Sequence, residues 1–272
     1  MCGRYILIQK AEVIEKRFGV KVPDTVHLVP SYNIAPGKLA PVITNDHPYE
    51  IQLFRFGLTP SWMTKPSLFI NARAEGDHNS DNNPNYTGAK GIITKPAFRK
   101  PIRSQRCLIP ADAFIEGPEK EKLSKPYLVY LRDKVRPFAF AGIWDTWKNP
   151  ETEELIHSFA IITTVANEVM QKIQHHRSPV ILHQSDERRW LSNTIPLADL
   201  TRLLHPYPAA LMNAYPIAPT IKNPSADDPG LIHPVGQRLM SETMIINSQE
   251  ARITGMGSNK HFGFDDGNPL GM

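Results

Sequence analysis

The residues best equipped for chemistry stand at the start of the chain, Met1-Cys2-Gly3-Arg4. A small side chain at position 2 favours removal of Met1, which leaves Cys2 with a free α-amine and a thiol on adjacent carbons. An α-amine titrates near ~8 and a thiol near ~8.5, so modest shifts bring either into its reactive form at neutral pH. Such a 1,2-aminothiol can attack an aldehyde with nitrogen and then close a five-membered ring through sulfur. Taken alone, Met1-Cys2 implies only a trimmed or acetylated N-terminus.

Other polar groups follow apolar runs. Asn71-Ala72-Arg73 puts an amide and a guanidinium on one side of an extended segment. That arginine fork can grip phosphate and the amide can donate to an oxyanion or sugar oxygen, although on this motif alone a surface ion pair and a turn asparagine fit better. Glu116 closes the apolar and small run 107–115, broken only by Pro110 and Asp112. A desolvated carboxyl there has its pKa raised and can shuttle protons near neutrality, whereas one facing water does neither. His175 and His176 are expected at a helix C-terminus, where the dipole favours the charged imidazole and where Arg177 could be a further dipole partner. Cys2, Glu116 and the histidines could be read as zinc ligands, but with no CxxC and no HExxH metal is the weaker reading. Trp62, beyond a strand and close to Pro60, suits stacking on a base or wedging a duplex, while Trp144 and Trp147 belong with the apolar run before them in the core.

These groups need a scaffold. The 272 residues, 41% hydrophobic, suffice for one large domain or two small ones. No apolar run spans a bilayer and no signal peptide opens the chain, so a cytoplasmic protein is expected, nucleoid-associated when bound to DNA. Two cysteines, Cys2 and Cys107, make no disulfide framework and suit a reducing compartment. The formal charge of +4 suits a polyanion partner without requiring one. Helical spacing is expected over 11–18, stopped by Gly19, and over 165–174, with further helices capped by Ser185 and begun by Pro196. Strands are expected near 5–8, 40–44, 50–58, 107–115, 126–132, 137–144, 158–164, 180–182 and 211–217, with an ordered loop at 29–37 and a surface excursion at 76–90. This pattern predicts an α+β class with mostly antiparallel strands in a single domain over 1–235, and a mobile C-terminal tail over 236–272.

Several blocks occur in order: Met1-Cys2-Gly3-Arg4-Tyr5, Tyr32-Asn33-Ile34-Ala35-Pro36-Gly37, Gly57-Leu58-Thr59-Pro60-Ser61-Trp62, Asn71-Ala72-Arg73-Ala74-Glu75, Arg106-Cys107-Leu108-Ile109-Pro110-Ala111, Ala141-Gly142-Ile143-Trp144 and His175-His176-Arg177-Ser178-Pro179-Val180-Ile181-Leu182. Together they resemble the SOS response-associated peptidase (SRAP) family, the abasic-site-shielding proteins of the DNA damage response, over roughly residues 2 to 223. The resemblance implies a compact α+β domain with a curled, barrel-like sheet and a few peripheral helices, whose groove holds single-stranded DNA containing abasic sites. It implies a monomer needing no cofactor and no metal. By motif, Cys2 would be the nucleophile, Asn71 a positioner, Glu116 the proton shuttle and His175 the group assisting sugar ring opening. Arg4, Arg73 and Arg177 would grip phosphates, with Trp62 and Pro36 at the DNA. The product would be a thiazolidine that protects the strand, with lyase-like side chemistry and a peptidase activity used in self-processing. Departures are Gly117, where many members carry Trp, Met63 in place of a second Trp, and Ser178 in place of Met or Arg. The rivals are an N-terminal-nucleophile cysteine hydrolase of the amidotransferase kind and a non-catalytic single-strand binder.

Overall fold

The computed structural model describes residues 3–133 and 135–241. Met1 and Cys2, and nearly all of the expected tail, lie outside the described residues. The chain begins with β1 (Tyr5–Leu7), α1 (Ala11–Phe18), β2 (Ser31–Ile34), β3 (Leu39–Thr44), β4 (Gln52–Phe56) and β5 (Asn71–Arg73). After α2 (Pro101–Ser104) come β6 (Arg106–Ala111), β7 (Ala113–Glu116), β8 (Tyr127–Leu131), β9 (Phe138–Lys148) and β10 (Leu155–Val165). Then follow α3 (Glu168–Lys172), β11 (Arg177–Pro179), β12 (Ile181–Leu182), α4 (Gln184–Leu191), α5 (Leu197–Arg202) and β13 (Met212–Pro216).

The strands form two sheets. In the larger one the order β10-β4-β3-β6-β9 closes on itself because β9 pairs again with β10, giving a barrel to which β5, β11 and β12 are added. The smaller sheet runs β13-β8-β7-β1-β2. Pairing is antiparallel except where β4 and β5 lie parallel to β10. The class is α+β in one compact domain, as the resemblance implied. β1 joins the two layers: Tyr5 points into the barrel core, edge-on to Phe56 at 5.6 Å and to Phe140 at 5.9 Å. Its neighbour Ile6 faces the other way, into a second core with Leu128 and Tyr215, as strand alternation requires. Truncating a ring such as Phe140, wholly buried between these aromatic neighbours, costs ~3–5 kcal/mol.

A buried carboxylate fixes the end of β1. Asp112, between β6 and β7, accepts hydrogen bonds from the Ile8 amide at 2.7 Å and the Gln9 amide at 3.3 Å, while its own amide donates to the Ile6 carbonyl at 2.8 Å. Burial pushes this carboxyl up to about 6 even with those donors in place.

The structure differs from expectation in places. The loop expected at 29–37 contains β2, because its Tyr5↔Ile34 pairing with β1 is long-range. The helix expected over 165–174 shrinks to Glu168–Lys172. Val165 belongs to β10, and Asn167 caps the helix by accepting from the Met170 amide at 3.0 Å. Gln184 precedes the Ser185 cap position within α4, and Pro196 is the cap of α5 rather than its first residue. Packing also continues past residue 235. The Leu239 amide donates to the Ala214 carbonyl at 2.8 Å, and Asn213 brackets Met240 by donating to its carbonyl at 2.8 Å and accepting from its amide at 3.1 Å. Among the described residues no helix is long and apolar enough to cross a membrane.

Candidate active site

The N-terminal strand leads to Glu116. β1 lies antiparallel to β7 with Tyr5 opposite Phe114 and Ile6 opposite Ala113, and the Ile115 amide donates to the Arg4 carbonyl at 2.9 Å. Continued toward the N-terminus, this register sets Gly3 across from Glu116. Arg4 is half-buried, its Nη1 donating to the Gly3 carbonyl at 3.0 Å, and burial lowers its pKa. Cys2, the expected nucleophile, lies outside the described residues.

Glu116 ends β7 with 4% of its surface exposed, and its Oε2 stands 3.3 Å from Nε2 of the equally buried His175. The distance would admit an ion pair, but burial drives both groups toward their neutral forms. It pushes Glu116 up to about 7 and His175 down to about 4. The pair is therefore best described as a neutral imidazole beside a carboxyl that gains and loses its proton near neutrality. Nδ1 of His175 lies 2.9 Å from the Arg177 carbonyl, to which it donates in the tautomer that leaves Nε2 able to accept from a protonated Glu116. The expected charged, dipole-supported histidine is corrected here. α3 ends at Lys172, Gln174 takes a left-handed backbone with φ 61°, and the buried ring beyond it loses more by desolvation than a helix end returns. His176 stacks on His175 with ring centres 5.0 Å apart, and its Nδ1 lies 3.2 Å from Glu119 Oε2.

A second group sits on three adjacent strands. Asn71 and Arg73 share one face of β5, opposite Ile161 and Thr163 of β10, with Ala72 between them buried. Arg73 donates through Nη2 to Asn82 Oδ1 in the 76–90 excursion. On the other side of β10, Arg177 faces Val165. Its guanidinium, 2% exposed, donates from Nη2 to Glu75 Oε2 at 2.7 Å. Thr164 Oγ1 donates to the other oxygen of Glu75 at 2.9 Å. Burial tends to raise the Glu75 pKa, but the charge and hydrogen bond of Arg177 outweigh it and hold the carboxyl below its usual range. Lys90 and Arg73 add positive charge around this pair. Arg177, expected on a phosphate, thus already has one nitrogen committed to a buried carboxylate.

The remaining expected residues lie on turns bonded to β4 or following it. Pro36 is half-buried in a turn closed by the Lys38 amide on the Ala35 carbonyl at 3.1 Å, and the Gly37 amide reaches the Phe56 carbonyl at 2.7 Å. Trp62 is 62% exposed on a turn after β4. The Thr59 amide before it donates to Ser158 Oγ at 2.9 Å. Ser158 precedes Thr163 by five residues along β10, which is roughly 16 Å of strand. The structure therefore gathers Arg4, Glu116 and His175 at one end of β1 and β7, lines up Asn71, Arg73 and Arg177 across β5, β10 and β11, and anchors the Trp62 turn at Ser158, five residues along β10 from Thr163. Glu75 was the residue passed over, although it closes the same block as Asn71 and Arg73.

Gly117 has a steric cause. A Cβ at this position would fall 1.8 Å from the Lys122 carbonyl oxygen and 2.9 Å from that of Lys125. The backbone of 122–125 fills the space that a side chain here would enter.

A family model described as SOS response associated peptidase (SRAP) matches residues 1–224. The chain is 36% identical over 241 residues to the abasic site processing protein YoqW of Bacillus subtilis, covering 85% of this chain and 99% of that one. It is 24% identical over 268 residues to the abasic site processing protein HMCES of Xenopus tropicalis, covering 84% and 77%. Among solved structures, a Bacteroides thetaiotaomicron protein superposes with a TM-score of 0.71 at 30% identity, over 85% of this chain and 98% of that one. A Bordetella bronchiseptica protein shares the fold, with a TM-score of 0.62 at 24% identity over 79% and 99%. With the barrel, the β1–β7 pairing and the family blocks all in place, the chain belongs to the SOS response associated peptidase (SRAP) family.

Proposed function

We propose that this protein processes abasic sites in single-stranded DNA by forming a covalent thiazolidine between Cys2, once Met1 is removed, and the ring-opened sugar aldehyde. The observation that supports this reading is the register of β1 on β7, which sets Gly3 across from a carboxyl pushed up to about 7 beside a neutral imidazole. The relatives named as abasic site processing proteins support the substrate class.

An abasic site is largely closed as a hemiacetal, so the reaction begins with ring opening. His175, neutral at physiological pH, accepts and returns the proton at the sugar hydroxyl and ring oxygen. The neutral α-amine of Cys2 then adds to C1′. Glu116, poised between acid and base, protonates the departing hydroxyl as water leaves and the imine forms. The Cys2 thiol adds across that imine, its proton passing to nitrogen, and the ring closes. Thiazolidine lacks the acidic imine that drives elimination of the 3′ phosphate, so the strand is kept whole, and lyase activity remains a side path. Asn71 orients the sugar, and Arg4 and Arg73 meet phosphates. Arg177 serves as a fixed positive charge behind them, since its side chain is buried on Glu75. The functional unit is the packed domain, and the peptidase label corresponds to removal of the residue before Cys2.

Mass spectrometry of the protein mixed with an abasic single-stranded oligonucleotide tests this. A heat-stable adduct equal to protein without Met1 plus oligonucleotide minus one water is expected. Binding without an adduct would sink the chemistry and leave a single-strand binder, and turnover of an amide substrate would favour the hydrolase.

A further inference from the structure

The turn that carries Trp62 is held more tightly than an exposed loop needs. Pro60 to Met63 is closed by the Met63 amide on the Pro60 carbonyl at 3.1 Å. The Ser61 amide donates to Oδ2 of Asp145 at 2.8 Å. The Met63 carbonyl accepts from Nε1 of Trp147 at 2.6 Å. One residue earlier, Thr59 is fixed to Ser158 Oγ, and its own hydroxyl donates to the Ser67 carbonyl at 2.6 Å. Asp145 and Trp147 are each 3% exposed and sit two apart on one face of β9. Asp145 pairs with Ser158 across the β9–β10 ladder, so the anchors form one row on the barrel wall. Asp145 is itself oriented by the Gln105 side chain and the Thr146 amide, both donating to its other oxygen, at 3.3 and 2.9 Å.

The turn is therefore bonded on both sides of Trp62, while the indole is left in solvent. Leu68 and Phe69, 56% and 39% exposed, leave the same loop, and Phe69 bridges back to Leu58. Large apolar side chains kept in water on a rigid backbone mark a contact surface. A ring carried on a backbone fixed in advance has less freedom to lose when a base stacks on it.

We propose that Asp145 and Trp147 are positioning residues for DNA binding: through the backbone of the Pro60–Met63 turn they hold the Trp62 indole as a preset stacking platform for an unpaired base. The inference rests on the reading that this face takes single-stranded DNA. Asp145 and Trp147 touch no substrate and act through Trp62 alone.

A double-mutant cycle tests it. Affinity for a fluorescent single-stranded oligonucleotide without an abasic site is measured for Trp147→Phe, which keeps an aromatic ring and loses the donor, and for Asp145→Ala and Asp145→Asn, each alone and with Trp62→Ala. Trp62→Ala is expected to weaken binding about tenfold, within the range of one lost base stack. Trp147→Phe and Asp145→Ala should each weaken it about threefold when Trp62 is present and hardly at all in the Trp62→Ala background, a non-additivity expected of groups acting through one another. Asp145→Asn, which keeps an acceptor for the Ser61 amide, should restore most of the affinity. Crosslinking of an abasic oligonucleotide by the unaltered protein is measured alongside. Equal losses in both backgrounds would make these residues merely structural and overturn the proposal, as would an inert Trp62→Ala. Additive losses with intact crosslinking sink the clamp alone, whereas Trp62-dependent binding without crosslinking sinks only the proposed chemistry. If Trp147→Phe fails to fold, the Asp145 pair of variants decides the question.

Discussion

Glu75 and Arg177 form a buried ion pair with 2.7 Å between Oε2 and Nη2, joining the end of the β5 segment to β11 beneath the candidate site. Two desolvated charges so placed add little net stability, but either one alone is an uncompensated charge in the interior. Glu75→Gln is expected to destabilise the domain by ~3–5 kcal/mol in urea unfolding, whereas replacing both partners with methionine should cost much less. Similar losses for the single and double variants would show that the two charges do not depend on each other.

Arg73 is not committed to a carboxylate in this way, since its guanidinium donates to the amide oxygen of Asn82. If it neutralises one phosphate, Arg73→Ala should reduce the slope of log affinity against log salt for single strands by ~0.7. An unchanged slope removes Arg73 from the DNA-contacting set.

Gly117 should not accept the Trp that the family resemblance leads one to expect there. Gly117→Ala drives a methyl against the Lys122 carbonyl, and overpacking of this kind costs ~1–3 kcal/mol, more when backbone must move. Gly117→Trp should lose stability without any gain in affinity for single strands. A folded Gly117→Trp variant that binds more tightly would mean that the 118–125 loop yields easily.

The parts of this molecule legible in sequence are those governed by local period. The alternation of strands and the spacing of Ala11–Phe18 with left-handed Gly19 behind it need no distant partner. The barrel closure does, since it depends on β9 and β10 pairing with each other while β10 also takes β4 and β5 in parallel. Residue chemistry likewise predicted that Glu116 could be desolvated, but not that His175, far along the chain, would supply the wall against it. Trp147 was correctly placed in the core from its apolar neighbours, yet its indole donor acts on Met63, a backbone contact that side-chain pattern cannot encode. Glu75 drew no role from the sequence because its partner lies on another strand of the barrel sheet.

Glu116 and His175 should leave opposite marks on stability. Between its ordinary value of 4.5 and about 7, Glu116 keeps a proton in the folded state that the unfolded chain has released, so its contribution falls as pH rises through that window. His175, lowered from 6.5 to about 4, is neutral in the folded state where the unfolded chain binds a proton, so its contribution rises with pH between those values. Glu116→Gln should abolish the first limb in urea titrations from pH 5 to 7.5. The same variant should slow crosslinking by ~100-fold or more while affinity for intact single strands stays within about twofold, as for a proton-transfer group. Equal crosslinking rates for both proteins across this pH range would exclude the carboxyl as the shuttle.

The strictest test concerns the first residues, because the register of β1 on β7 leaves Gly3 across from Glu116 and the proposed ring needs both heteroatoms of the residue before it. The nitrogen, α-carbon, β-carbon and sulfur of Cys2, with the aldehyde carbon, complete that ring. Retaining Met1, or adding any residue ahead of Cys2, turns the amine into an amide that cannot form an imine, although the thiol is untouched. Adduct formation should vanish in that variant. Cys2→Ala keeps the amine and should give a Schiff base that borohydride traps, but the adduct should be labile and strand cleavage should increase. Cys2→Ser should behave alike, since a hydroxyl is the weaker nucleophile and its ring reopens more readily. If the blocked protein crosslinks as fast as the free one, the bond to DNA cannot involve the α-amine, and a thiol adduct must take the place of the thiazolidine.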